Sequence, residues 1–158
     1  MADPATEPGA GIVRLAWLGT GTVVVTSVAA ALAPDAFAVV HAGVSVVLFV
    51  AGTAALLWAY ALGVGRSRTD LVDLPGLFWL AGDAARASTR RRLRWAVLVE
   101  VMAVVAAASV RPFTEVAFGI LAPMFGLGMM GMWGGRHGSF PPRPSKHAAR
   151  GNSPSSRA

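Results

Sequence analysis

The sequence contains no cysteine, and that absence removes several chemistries at once. Disulfides, thiol nucleophiles and cysteine-ligated zinc or iron–sulfur centres all need a residue that is missing. Charge is scarce too: 14% of the 158 residues are Asp, Glu, Lys or Arg, against about 25% in soluble domains. The three histidines, His41, His137 and His147, lack metal-site spacing, so no metal site and no bis-histidine haem is expected. There is no GxSxG, HExxH, Walker loop or paired-aspartate metal motif, so no enzyme signature appears. The expectation is a non-enzymatic chain without cofactors.

Apolar residues, in contrast, make up 54% of the chain, and mean hydropathy is +0.56. Charges vanish for long stretches and then cluster, the pattern of a membrane chain. Residues 15–33 are nineteen without a charge, closed by Pro34 and Asp35. As a helix they reach about 28 Å, enough for the hydrocarbon core. Ala31-Leu32-Ala33 resembles a signal-peptidase site, but the preceding segment is acidic, the span is long and Pro34 follows directly. An uncleaved helix is the preferred reading. Residues 36–65 carry no formal charge, which predicts a second helix over 38–62 with Trp58 and Tyr60 as interface anchors. The short link between these spans makes a tight antiparallel hairpin.

Residues 66–94 form the one sizeable loop. Its middle has Leu74, Leu77, Phe78, Ala81 and Ala85 at helical spacing, and Asp73 followed by Pro75 marks a helix start. That predicts an interfacial amphipathic helix over 74–87, too short to cross the bilayer. Arg86, Arg90, Arg91, Arg92 and Arg94 follow and are expected to meet anionic lipid headgroups. A third span covers 95–110 and a fourth 116–133, the latter Gly- and Met-rich with Pro123 inside it as an expected kink. Residues 1–14 and the basic, Pro/Ser-rich 134–158 read as disordered tails. The fold class is thus all-α: a four-helix membrane bundle of two antiparallel hairpins plus one interfacial helix.

Net charge is +6 and the isoelectric point near 11.5. The bases lie between apolar spans, so they indicate topology and lipid headgroups rather than nucleic acid. With the amino terminus inside, thirteen of the fourteen bases fall on the inner side and Arg111 alone outside. The positive-inside rule therefore predicts a multi-pass protein of a bacterial plasma membrane with both termini cytoplasmic.

Within the spans, Glu100 stands out, because an intramembrane carboxylate is costly and by default a functional suspect. It lies six residues past Arg94, about 9 Å along the axis, so Arg14, Arg94 or Arg136 are its expected partners. A clasp between helices is favoured over proton or substrate coupling. His41, near the outer end of its helix with Asp35 and Glu115 at a similar level, is a second candidate for coupling, although a simple helix contact is the plainer reading. A direct pair with Glu100 is not expected. Thr20, Thr22, Thr26 and Ser27 give the first span a small polar face suited to packing. Gly126, Gly128, Gly131 and Gly135 in the last span suit internal packing or a partner face equally, with Met124, Met129, Met130 and Met132 as deformable surface.

The run GMWGGRHGSFPPR at 131–143, after a Gly/Met-rich helix, resembles the ending of small uncharacterised four-helix membrane proteins common in actinobacteria. That class brings no activity to these residues. Likeness to small multidrug transporters stops at helix count, since their essential glutamate is in the first helix and Glu100 is in the third. The functional expectation is an accessory or scaffolding subunit of an envelope or transport assembly, bound to a larger membrane partner or to itself. The alternative is a small oligomeric proton-coupled transporter or channel using Glu100.

Overall fold

The computed structural model describes residues 8–110 and 112–143. Most of the amino-terminal tail, Arg111 and most of the basic tail lie outside the described residues. The rest is an all-α membrane bundle. Helix α1 (Ala10–Leu32) meets α2 (Pro34–Arg66) through the single residue Ala33. Proline starts α2 because its fixed φ suits the first helical position, where no backbone N–H is needed. After a short α3 (Leu74–Trp79) come α4 (Ala87–Val110), a 3₁₀ segment (Glu115–Leu121) and α5 (Pro123–His137). Four helical stretches are long and apolar enough to cross a membrane, the 3₁₀ segment and α5 together making the fourth.

The burial pattern is that of a protein solvated by lipid. Leu18, Val25, Leu32, Val39, Val47, Leu57, Met102 and Ile120 are exposed on the outer faces, while Thr20, Ser27, His41, Ser45 and Glu100 are buried. Small residues at the contacts let helices approach closely where lipid tails offer no hydrophobic drive. The 3₁₀ segment and α5 form the inner span, 56% of whose apolar window is buried against 22–33% in the other three. Phe125, Met129, Met130 and Trp133 of α5 pack with Ala16 of α1, Ala55 of α2 and Leu93 and Val97 of α4.

Three elements differ from the sequence reading. The interfacial helix is one short turn, Leu74–Trp79, and does not run to residue 87. Asp73 caps its start by accepting from the Gly76 N–H at 2.9 Å. Its end is set by Leu80, which is left-handed at φ 51° and fully buried. A non-glycine residue there costs roughly 1–3 kcal/mol, a cost offset by burying the leucine. Second, Pro123 does not kink a continuous helix; it begins α5 after the 3₁₀ segment. Its missing N–H and its clash with the preceding turn favour a fresh start there. Third, the chain from Gly134 is ordered as far as Arg143. Helix α5 continues to His137, and the strand-like end returns to the α2–α3 loop. Leu71 N–H donates to Pro141 O at 2.8 Å and Arg143 N–H to Thr69 O at 2.8 Å. Arg66 stacks over the Phe140 ring at 5.1 Å and pairs with Asp70 at 3.2 Å.

Helices α1 and α4 also begin earlier than expected, so that Arg14, Arg90, Arg91, Arg92 and Arg94 ride on helices. Gly9 precedes α1 at φ 74°, and a Cβ there would strike the Trp133 indole at 2.6 Å. Trp133 Nε1 donates to Pro8 O at 3.2 Å, which ties the start of α1 to the end of α5.

Candidate functional site

Two polar pairs lie in the bundle interior, each joining α1 to another helix. Glu100 of α4 is 0% exposed, and its Oε1 is 2.9 Å from the Thr20 hydroxyl of α1. That hydroxyl also reaches Ala16 O at 3.0 Å. Glu100 Oε2 abuts Gly126 of α5 so closely that a Cβ at 126 would stand 2.6 Å from it, yet it makes no full hydrogen bond. The expected arginine partner is absent: Arg14, Arg94 and Arg136 are all exposed at the α3 end of the bundle, and the ion pair among the described residues is Arg66–Asp70.

The second pair is His41 of α2, also 0% exposed, with Nδ1 3.1 Å from the Thr26 hydroxyl. The Thr26 hydroxyl returns to Thr22 O at 2.9 Å. A hydroxyl has one hydrogen, so Thr26 donates to its own helix and accepts from Nδ1–H. Nε2 then faces Gly119, where a Cβ could not fit, and has no hydrogen-bond partner. Asp35 and Glu115, expected at the level of His41, are exposed and make no bond to it.

Thr20 and Thr26 are six residues apart, about 9 Å along α1. Between the pairs lies an apolar layer of Val23, Val104 and Ala122, with Leu48 packed against it. Glu100 and His41 therefore do not touch, as the sequence implies. They are separated by a single layer of side chains and not by the full depth of the bundle. The Thr20 partner was readable: Thr20 and Glu100 each lie six residues past an arginine, Arg14 and Arg94, that stands at the same end of their helices. Matching depths pairs hydroxyl with acid without a countercharge.

The glycines of α5 are all turned inward. Gly126 packs on Glu100 and Val97, Gly128 on the Gly52 backbone of α2, Gly131 on Phe78 and Ala59, and Gly135 on Ala59 and Leu62. This places them in internal packing, and no partner face is left on that stripe. The arginines of α4 divide in two. Arg94 donates from Nε and Nη2 to Trp79 O at 3.1 and 2.7 Å, and Arg90 from Nη1 to Gly82 O at 2.6 Å. They fasten the α3–α4 loop. Arg86, Arg91 and Arg92 are exposed. No known family model, curated protein or solved structure matches the chain.

Proposed function

We propose that the protein is a small multi-pass accessory or scaffolding subunit of an envelope or transport assembly in a bacterial plasma membrane. The observation that carries this reading is the enclosure of Glu100 and His41. Each is sealed from the surface and bonded to an α1 hydroxyl, so each fastens a neighbouring helix to α1. Polar groups spent on holding the bundle together leave recognition to its outer surface. The arginines described all stand at the α3 end, where α1 begins, α2 ends, α4 begins and α5 ends; that supports a cytoplasmic position for this end.

A photo-crosslinker at exposed Val47, Leu57 or Leu74, followed by gentle-detergent purification, is expected to trap one stoichiometric larger membrane protein. A lone, homogeneous chain from every position contradicts the proposal.

One observation favours the second reading, a proton-coupled transporter or channel. Glu100 Oε2 and His41 Nε2 are both buried without a hydrogen-bond partner, and such groups in a bilayer are usually functional. Glu100→Gln separates the readings. As a fastener Gln keeps a polar contact to Thr20, so both fold and activity persist. As a proton carrier it folds but abolishes proton flux in liposomes.

A further inference from the structure

We propose that the face between α1 and α4 holds one anionic phospholipid at a discrete site. Two hollows meet there. One, of about 490 Å³, is lined by Ser88, Arg90, Arg91 and Arg94 and ends on Trp95 and Leu98. The other, of about 580 Å³, begins at the same Trp95 and Leu98 and runs between Val24, Val28 and Ala31 of α1 and Met102, Ala106 and Val110 of α4. Sharing two residues, they form one groove, basic at its mouth and apolar along its length.

The dimensions suit a lipid. From Leu98 to Val110 is twelve residues, about 18 Å along α4, and one leaflet's half of the hydrocarbon core is about 15 Å deep. One acyl chain laid from Leu98 toward the midplane is therefore accommodated between the helices. Trp95, 53% exposed at the junction, stands where an indole sits at the headgroup boundary.

The mouth selects charge. A guanidinium has five N–H donors. Arg94 commits donors to Trp79 O and Arg90 to Gly82 O, so each is already held in place with donors to spare. Arg91 is exposed with no bonded partner among the described residues, and Ser88 adds a hydroxyl. Preordered guanidinium groups lose little freedom on binding a phosphate, and a headgroup with net negative charge satisfies three of them better than a zwitterionic one. Arg92 does not line the groove, so the site is narrower than a general headgroup contact along the arginine cluster.

The test is native mass spectrometry of the full chain, released from detergent and titrated with phosphatidylglycerol or phosphatidylcholine of identical acyl chains. One molecule of phosphatidylglycerol is expected to bind in preference to phosphatidylcholine. Arg91→Gln should weaken phosphatidylglycerol by about fivefold, the worth of one base at an anionic surface. Arg92→Gln removes the same charge one residue away and should leave it unchanged. Ala106→Phe, which fills the groove, should weaken both lipids, and if that variant fails to fold the Arg91 and Arg92 pair alone decides. Equal binding of the two lipids overturns the proposal, and so do equal losses in the two arginine variants. A second copy of the chain in the groove, seen as a dimer that Ala106→Phe abolishes, overturns it as well.

Discussion

Replacing Gly128 by alanine adds one methyl group where α5 crosses α2, and the structure says what it meets. A Cβ at 128 would lie 2.9 Å from the Gly52 carbonyl carbon and 3.0 Å from its Cα, and nearer still to its oxygen. The reverse substitution at Gly52 meets Met124 and Phe125 backbone at 2.5 Å. All these atoms are main chain, so no side chain can rotate away. Ordinary carbon contacts need about 3.5–4.0 Å, so the two helices must move apart by roughly 1 Å along the seam. Overpacking of this kind costs about 1–3 kcal/mol, against which alanine's better helix propensity returns about 0.5–1 kcal/mol. The expected net loss is about 1–2 kcal/mol. Gly21→Ala is the control, because a Cβ there meets nothing within 4 Å, and it should be neutral or slightly stabilising. Reversible unfolding in mixed micelles of rising SDS fraction, followed by tryptophan fluorescence, compares them. Equal midpoints for the two variants would refute the close crossing of α2 and α5.

The same assay reads two further changes. Glu100→Leu deletes the hydrogen bond that joins α4 to α1, the Thr20 hydroxyl keeping Ala16 O as its acceptor, and should lose about 1 kcal/mol, whereas Glu100→Gln should lose less than half of that; parity between them contradicts the fastening role. Trp133→Phe keeps an aromatic ring but deletes the bond to Pro8 O and part of the buried indole, so it should cost about 1–3 kcal/mol. It should also speed amide exchange in the first turn of α1 above that of the rest of the helix, and unchanged exchange there argues against the tie.

Much of the fold was legible because a bilayer imposes a length. Charge-free runs of nineteen, thirty and twenty residues (15–33, 36–65 and 116–135), and a sixteen-residue run between Arg94 and Arg111 whose one charge is Glu100, leave few alternatives to four spans. Boundaries were less legible, since hydropathy marks where lipid begins and not where hydrogen bonding stops. Helices α1 and α4 run on past the apolar region, carrying Arg14 and Arg90 to Arg94. At the α3 end, Ala81 and Ala85 continue the helical spacing while Leu80 leaves the helix; periodicity has no term for a left-handed leucine whose cost is offset by its burial. Glu100 was recognised as the buried acid by its type and place. Its partner was sought among charges, because an acid in lipid invites a base. The partner is a threonine, and the glycine stripe, suited by its sequence equally to internal packing or a partner face, is filled by α2, α3 and α4. The first follows from matching depths on two helices; the second is a tertiary fact that no single helix encodes.

The central claim, four spans with the arginine-rich end in the cytoplasm, is tested most directly by single-cysteine labelling. The chain has no cysteine of its own, so no background thiol has to be removed. Phe113→Cys, wholly exposed at the end opposite the arginine-rich one, should react with a membrane-impermeant maleimide in intact cells. Ser88→Cys and Ser139→Cys, both exposed at the arginine-rich end, should react only after the membrane is opened. Labelling of Ser88→Cys from outside while Phe113→Cys stays protected would contradict the account.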